Sequence, residues 1–260
     1  MIKAVFCDVD NTLTSPKTRL IIPRALDAIQ KARQNGVLVF AATGRHTRTF
    51  EEGKLLHGIA LDGFVAINGQ ICYLPDDTII HKIVLDPQEV SLVLRLSREM
   101  DFACCISETD RLYLTGMDEN VRAFHEMLHI PFPERDPAQG AENRDVLSIA
   151  AYVGVETETL IFPRLTTSTI VRFNPFNCDI IPREGGKAVG MKAMLDYFGL
   201  SADEALAIGD GQNDIGMLQA AGFGVAIGEC GADVLAAADY HAPAPDDDGI
   251  WHTFEKFGLI

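Results

Sequence analysis

Ile2-Lys3-Ala4-Val5-Phe6-Cys7-Asp8-Val9-Asp10-Asn11-Thr12-Leu13 is the stretch on which the reading of the fold turns. Apart from Lys3, the run from Ile2 to Cys7 is uninterruptedly apolar, as a strand buried on both faces requires. It breaks off into two carboxylates at i and i+2. Side chains with that spacing leave the same side of an extended chain. At the C-terminal end of a parallel strand they point into the crevice where open α/β sheets bind ligands. A calcium loop of the EF-hand type would need Gly and Glu where Leu13 and Arg19 stand, and a helix rather than a strand before it.

Outward from this stretch, strand and helix patterns alternate. From Pro23, the residues Ala25, Leu26, Ile29 and Ala32 recur at helical spacing up to Gly36. Val37–Ala42 and Gly63–Ile67 read as further strands, and Asn68-Gly69 turns the chain into Ile71–Tyr73. The rhythm returns with helices at Lys187–Phe198, Asp214–Ala221, Ala232–Ala238 and about Ile250–Phe257, and strands at Ala205–Ile208 and Phe223–Ile227. This predicts an α/β fold with a parallel sheet covered by helices on both faces. Between the two blocks the texture changes. Helices at Pro87–Met100 and Asp118–His129 are grouped with strand-like runs at Ala103–Ile106, Arg111–Thr115, Val146–Val153, Thr169–Phe173 and Cys178–Ile181. Such grouping predicts an α+β domain, residues 83–182, inserted into a discontinuous core of residues 1–82 and 183–260.

Composition narrows the function. Lys and Arg number 22 against 37 Asp and Glu, a net charge of −15, which disfavours nucleic acid or an anionic membrane as partner. Six cysteines without a C-x-x-C pair argue against a zinc knuckle or redox motif, and most sit in apolar runs as small hydrophobes. No apolar stretch nears the ~18 residues of a membrane span, and the N-terminal apolar run is too short for a signal peptide. A cytoplasmic protein is expected.

Three further constellations carry chemistry. Thr43-Gly44-Arg45 follows the second core strand and precedes a helix start, a combination suited to an anion. Lys187 opens a helix after Gly185-Gly186, where the helix dipole disfavours a cation unless an anion partners it. Gly209-Asp210-Gly211-Gln212-Asn213-Asp214 sets two carboxylates at i and i+4 beside a buried strand, which suits a hard cation. Gly222-Phe223-Gly224 with Gly228 lacks the spacing of a dinucleotide fingerprint, because Ile227 takes the third glycine's place.

Together the four constellations resemble the motifs of the haloacid dehalogenase (HAD) superfamily, in order and in approximate spacing. Ala221–Gly228 and Asp247-Asp248-Gly249 are similar to the Cof-type phosphatase subgroup. Asn11, where that subgroup more often has Gly, and Glu229-Cys230-Gly231 depart from its pattern. The resemblance implies a Rossmann-like core with an inserted cap domain. Phosphoryl chemistry benefits from water exclusion, so this domain is expected to act as a lid, and Pro182 and Gly185-Gly186 suggest hinges near 81–83 and 182–186. The resemblance also implies Asp8 as nucleophile and Asp10 as general acid and base. Thr43, Gly44, Arg45, Lys187 and Asn213 would hold the phosphoryl group or the substrate. Asp8, the Asp10 carbonyl and Asp210 would hold Mg²⁺, with Asp214 as a ligand or as an orienter of one.

A carboxylate about 4 Å from a phosphate dianion is opposed by roughly 8 kcal/mol at an effective dielectric near 20. Lys187 offsets only part of that, and Asp210 and Asp214 add to it, so the charge count demands a divalent cation. Oxygen ligands favour Mg²⁺. The expected activity is hydrolysis of small phosphorylated metabolites, sugar phosphates first and phosphorylated cofactors next. A sugar phosphomutase is an alternative, and a non-catalytic phosphosugar-binding protein a second. In the insertion, Arg111, His125 and Arg172 are candidate substrate contacts, with a surface role as the competing expectation for each.

Overall fold

The computed structural model describes residues 1–46, 56, 59–128, 130–172 and 174–260. The helix start expected after Arg45, the helix end at His129 and the strand end at Phe173 lie outside the described residues. The chain forms two compact units, Met1–His81 with Gly186–Ile260, and Lys82–Gly185. Strands are numbered here in chain order. The first unit holds β1 (Ala4–Cys7), β2 (Leu38–Ala42), β3 (Gly63–Ala66), β4 (Ile71–Tyr73), β5 (Ile79–Lys82), β12 (Ala205–Gly209), β13 (Phe223–Ile227) and β14 (Tyr240–Ala242). The second holds β6 (Cys104–Glu108), β7 (Leu112–Leu114), β8 (Glu134–Arg135), β9 (Val146–Ala151), β10 (Ser168–Val171) and β11 (Cys178–Pro182).

The sheet of the first unit runs β14-β13-β12-β1-β2-β3-β4-β5. It is parallel from β14 to β3, and β4 then returns antiparallel through the Asn68-Gly69 turn. Because side chains alternate along a strand, the apolar run of β1 serves two cores at once. Val5 and Cys7 pack with Ala25, Ala28 and Ile29 of helix Pro23–Gln34 and with Phe254 of helix Gly249–Lys256. Ala4 and Phe6 face the other way, with Met191 and Met194 of helix Lys187–Phe198 and Met217 of helix Ile215–Ala220. Phe6 stacks on Phe40 of β2 at 4.7 Å between ring centroids. A strand with one polar face could not sit at this place in the sheet.

Strand order also fixes where a site can form. From β1 the chain moves one way to β2 and β3, and its later strands β12, β13 and β14 lie on the other side. β1 and β12 therefore flank the switch point, where loops leaving the strand ends splay apart and open a crevice.

The second unit is a sheet of order β10-β11-β9-β6-β7-β8, antiparallel except for the β7–β8 pair. Helix Pro87–Met100 packs Val90, Val93 and Leu94 on the face that carries Cys104, Ile106 and Ile149. Its start is set by Pro87 at the first position and by Asp86, whose side chain accepts from the Gln88 N–H at 2.7 Å. Helix Glu119–Leu128 packs Val121 and Phe124 on the opposite face, against Cys105 and Leu114. Helix Val155–Ile161 was not expected; Ile161 is its only buried residue, so its sequence carries no apolar periodicity. No helix among the described residues is long and apolar enough to cross a membrane.

Candidate active site

Three of the four constellations sit at strand ends, and Lys187 at the start of a helix. Asp8 follows β1, and its N–H donates to the Ile208 carbonyl of β12 at 2.9 Å. Thr43 follows β2 and is tied to β3 through the Val65 carbonyl at 2.8 Å. Gly209-Asp210 ends β12. A Cβ on Gly209 would lie 2.4 Å from Asp214 Cγ, so a side chain there would expel Asp214.

Lys187 joins these segments. It is 1% exposed, and its Nζ donates to Asp8 Oδ1 at 2.5 Å and to Asp214 Oδ1 at 2.6 Å. Two buried carboxylates thus offset the unfavourable helix-start position. Burial works against the ammonium, but Asp214 and Asp8 together raise the Lys187 pKa above the ordinary lysine value. It stays charged. Asp214 spends its other oxygen on backbone, accepting from Gly211 N–H at 2.9 Å and Asp210 N–H at 3.1 Å. Asp210 accepts from Thr12 Oγ1 at 3.1 Å. Asp8, Asp210 and Asp214 each offer one carboxylate oxygen, all within 4.8 Å of one another.

One ammonium among three carboxylates leaves negative charge in excess. Burial pushes the Asp8 carboxyl well above the usual range; Lys187 pulls it down, and Asp214, Asp210 and Asp10 push it up. Burial, reinforced by Asp214, lifts Asp210 to about 6. Three convergent oxygen donors with surplus negative charge fit a hard divalent cation of the Mg²⁺ type.

Arg45 and Asp10 form a separate pair. The guanidinium donates through Nε to Asp10 Oδ2 at 2.7 Å and through its NH2 nitrogen to Oδ1 at 2.6 Å. Asn213 Nδ2 donates to Asn68 Oδ1 at 2.9 Å. Asn68 is a site residue that the sequence reading passed over as part of a turn. It is 5% exposed in a left-handed conformation (φ 53°), its N–H donates to the Thr43 carbonyl, and a Cβ on Gly44 would lie 3.1 Å from its Oδ1. Asn is among the few non-glycine residues at home in that conformation. The Asn-Gly pair was the signal, and it marked a turn rather than a contact.

In the second unit, none of the three candidate contacts is free. Arg111 pairs with Asp136 at 3.0 Å. Arg172 pairs with Glu158 at 2.5 Å and donates to the Val153 and Asn174 carbonyls. For His125 the surface expectation is corrected: it is 3% exposed, hydrogen-bonded through Nδ1 to the Pro131 carbonyl and through Nε2 to the Tyr152 hydroxyl. All six cysteines are free thiols, five of them buried.

A family profile for haloacid dehalogenase-like hydrolases matches residues 5–254. A solved phosphatase of the haloalkanoate (HAD) enzyme superfamily from Bacteroides thetaiotaomicron is 30% identical, with a TM-score of 0.91 over 100% of this chain and 96% of that one. A solved sugar phosphatase of HAD subclass IIB is 29% identical, with a TM-score of 0.87 over 99% of this chain and 100% of that one. Among curated proteins, the 5-amino-6-(5-phospho-D-ribitylamino)uracil phosphatase YcsE of Bacillus subtilis is 25% identical across 96% of this chain and 93% of its own length. With a match that spans nearly the whole sequence, the chain belongs to the haloacid dehalogenase-like hydrolases, among the phosphatases of that superfamily.

Proposed function

We propose that the protein is a Mg²⁺-dependent phosphatase of small phosphorylated metabolites, sugar phosphates first, working through an aspartyl-phosphate. The observation that carries this is the buried Asp8–Lys187–Asp214 arrangement with an Asp210 oxygen within 4.8 Å. Residues 1–82 and 183–260 form the catalytic core in this reading, and 83–182 the inserted cap domain. The division of contacts near 82 and 186 supports it.

Asp8 attacks phosphorus, and the phosphorus–oxygen bond to the leaving group breaks. Asp10 gives a proton to the departing alkoxide, then takes one from the water that opens the aspartyl-phosphate, and Asp8 is regenerated. Lys187 holds Asp8 in place and opposes its protonation. Thr43, the Gly44 N–H and Asn213 take the phosphoryl oxygens and stabilise charge as it develops. Mg²⁺ held by Asp8, the Asp10 carbonyl and Asp210 would supply the positive charge that the carboxylates and the phosphate lack. Asp214 serves as a further ligand or as an orienter of Asp210 and Lys187, to which its oxygens are already bonded.

The test is phosphate release from a panel of sugar phosphates and phosphorylated cofactors with Mg²⁺, with p-nitrophenyl phosphate as a generic ester. Release without any acceptor sugar separates hydrolysis from transfer between sugars. Asp8→Asn is expected to lower turnover by at least about 10⁴-fold while leaving the circular-dichroism spectrum unchanged. Turnover by Asp8→Asn near that of the wild type would remove the nucleophile and the reading with it.

A further inference from the structure

Arg45 and Asp10 stand on loops leaving the neighbouring strands β2 and β1. Their pairing is of the two-pronged kind, each carboxylate oxygen taking one guanidinium donor, at 2.6 and 2.7 Å. The Arg45 backbone is pinned from both sides. Its N–H donates to Thr43 Oγ1 at 3.1 Å and its carbonyl accepts from the Ile67 N–H at 3.0 Å. The pair also sits at the open edge of its surroundings. The Arg45 and Asp10 side chains are 23% and 36% exposed, against 0% for Lys187 and 9% for Asp8.

With each oxygen taking one donor of the same guanidinium, the plane and direction of the Asp10 carboxylate are set by Arg45. A phosphoester presents the same pair of acceptor oxygens to the same planar fork. If Asp10 left Arg45 without replacement, an arginine would stay unpaired and a carboxylate would stand free near Asp8. An arriving phosphoester avoids both, because it can take one prong while the other stays on Asp10.

We propose that Arg45 is a positioning residue for Asp10: it holds the carboxylate in the unliganded protein, then shares its fork with the substrate phosphate and aligns Asp10 on the leaving oxygen. This rests on the phosphatase reading, in which Asp10 is the proton donor. It assigns Arg45 a role through Asp10 in addition to contact with phosphate.

The experiment compares two esters of one phosphoryl group on the Mg²⁺-loaded protein. p-Nitrophenyl phosphate has a leaving group that needs little protonation; glucose 6-phosphate has an alkoxide that needs a proton. Arg45→Ala is expected to lower kcat for the alkyl ester at least about tenfold more than for the aryl ester, within the range general acids contribute. Arg45→Lys, a charge without a fork, is expected to restore KM but not the alkyl kcat. Arg45→Ala on top of Asp10→Asn is expected to cost no further alkyl kcat, as for residues that act as one unit. Equal losses on both esters, or additive losses in the double variant, would overturn the inference and leave Arg45 a phosphate contact alone. Failure of the wild type to hydrolyse either ester is a different result, and it removes the phosphatase reading along with the inference.

Discussion

Two buried carboxylates, one in each unit, are held in opposite ways. Asp8 in the first unit is 6% exposed, and burial with three neighbouring aspartates drives its carboxyl up. Glu89 in the second unit is also 6% exposed, yet its carboxyl is lowered to about 2. Burial pushes Glu89 up as well, but donors on Thr166 and Thr167 help to outweigh it. Its Oε1 accepts the N–H groups of Thr166 and Thr167 at 2.5 and 2.7 Å. Asp179, in the second unit, is raised like Asp8. It accepts from Asn177 Nδ2 at 3.3 Å, and burial pushes it up to about 7. Depth alone therefore does not set the charge of a carboxylate; the supply of donors does. Glu89 Oε1 takes all of its donors from the protein while its Oε2 is buried without a partner, and the Asp8 cluster sets three carboxylates against one ammonium.

The contrast breaks most visibly at Lys187. It is the shared partner of Asp8 and Asp214, so Lys187→Met leaves two buried carboxylates without their counter-charge. Removing one partner of a buried ion pair costs about 3–5 kcal/mol. Chemical denaturation at pH 7 should show a loss of that size in stability. A loss under about 1 kcal/mol would mean that Lys187 is no electrostatic keystone.

A smaller effect is expected from the cation. If excess charge in the Asp8 cluster is balanced by Mg²⁺, the ion should raise the melting temperature of the wild type. At a concentration a hundredfold above Kd, the gain is about 2.7 kcal/mol. Asp210→Asn takes away one donor and should flatten that response, while Glu89→Gln, in the second unit, should leave it intact. A melting temperature indifferent to Mg²⁺ in the wild type would contradict the fit of the ion, independently of any activity.

The same contrast explains what could be read from the sequence. Strands β1, β2 and β12 are legible because burial on both faces writes itself as an unbroken apolar run. The loops that follow them are legible because carboxylates, glycines and a threonine cluster at the run's end. The parts that resisted reading depend on partners far away in sequence. Nothing within a few residues of Asp10 announces its pairing with Arg45, 35 positions on. Asn68 looks like any hairpin turn until Asn213 donates to it across 145 positions. Helix Val155–Ile161 buries only Ile161, and β14 is only three residues long, so neither leaves a periodic trace. Glu89 is the sharpest case. On an amphipathic helix a glutamate reads as a solvated residue, and only the return of the chain at Thr166–Ser168 turns it into an anchor.

That anchor yields the smallest expected effect, and its dependence on pH has a definite sign. A carboxylate whose folded pKa lies below its unfolded value binds fewer protons in the folded state, so it stabilises the fold wherever it is ionised in both. For Glu89 the contribution is complete above about 4.5, the ordinary value, and is lost as pH falls toward about 2. Glu89→Gln keeps the shape and removes the charge, so it should cost on the order of 2 kcal/mol at pH 7, the range of charged hydrogen bonds. Urea titrations of the wild type and the variant should give curves separated by a constant amount from pH 8 to pH 5, converging below about pH 4. A gap that persists unchanged at pH 3 would show that Glu89 stabilises through packing. In that case the supply of donors would not be what distinguishes it from Asp8.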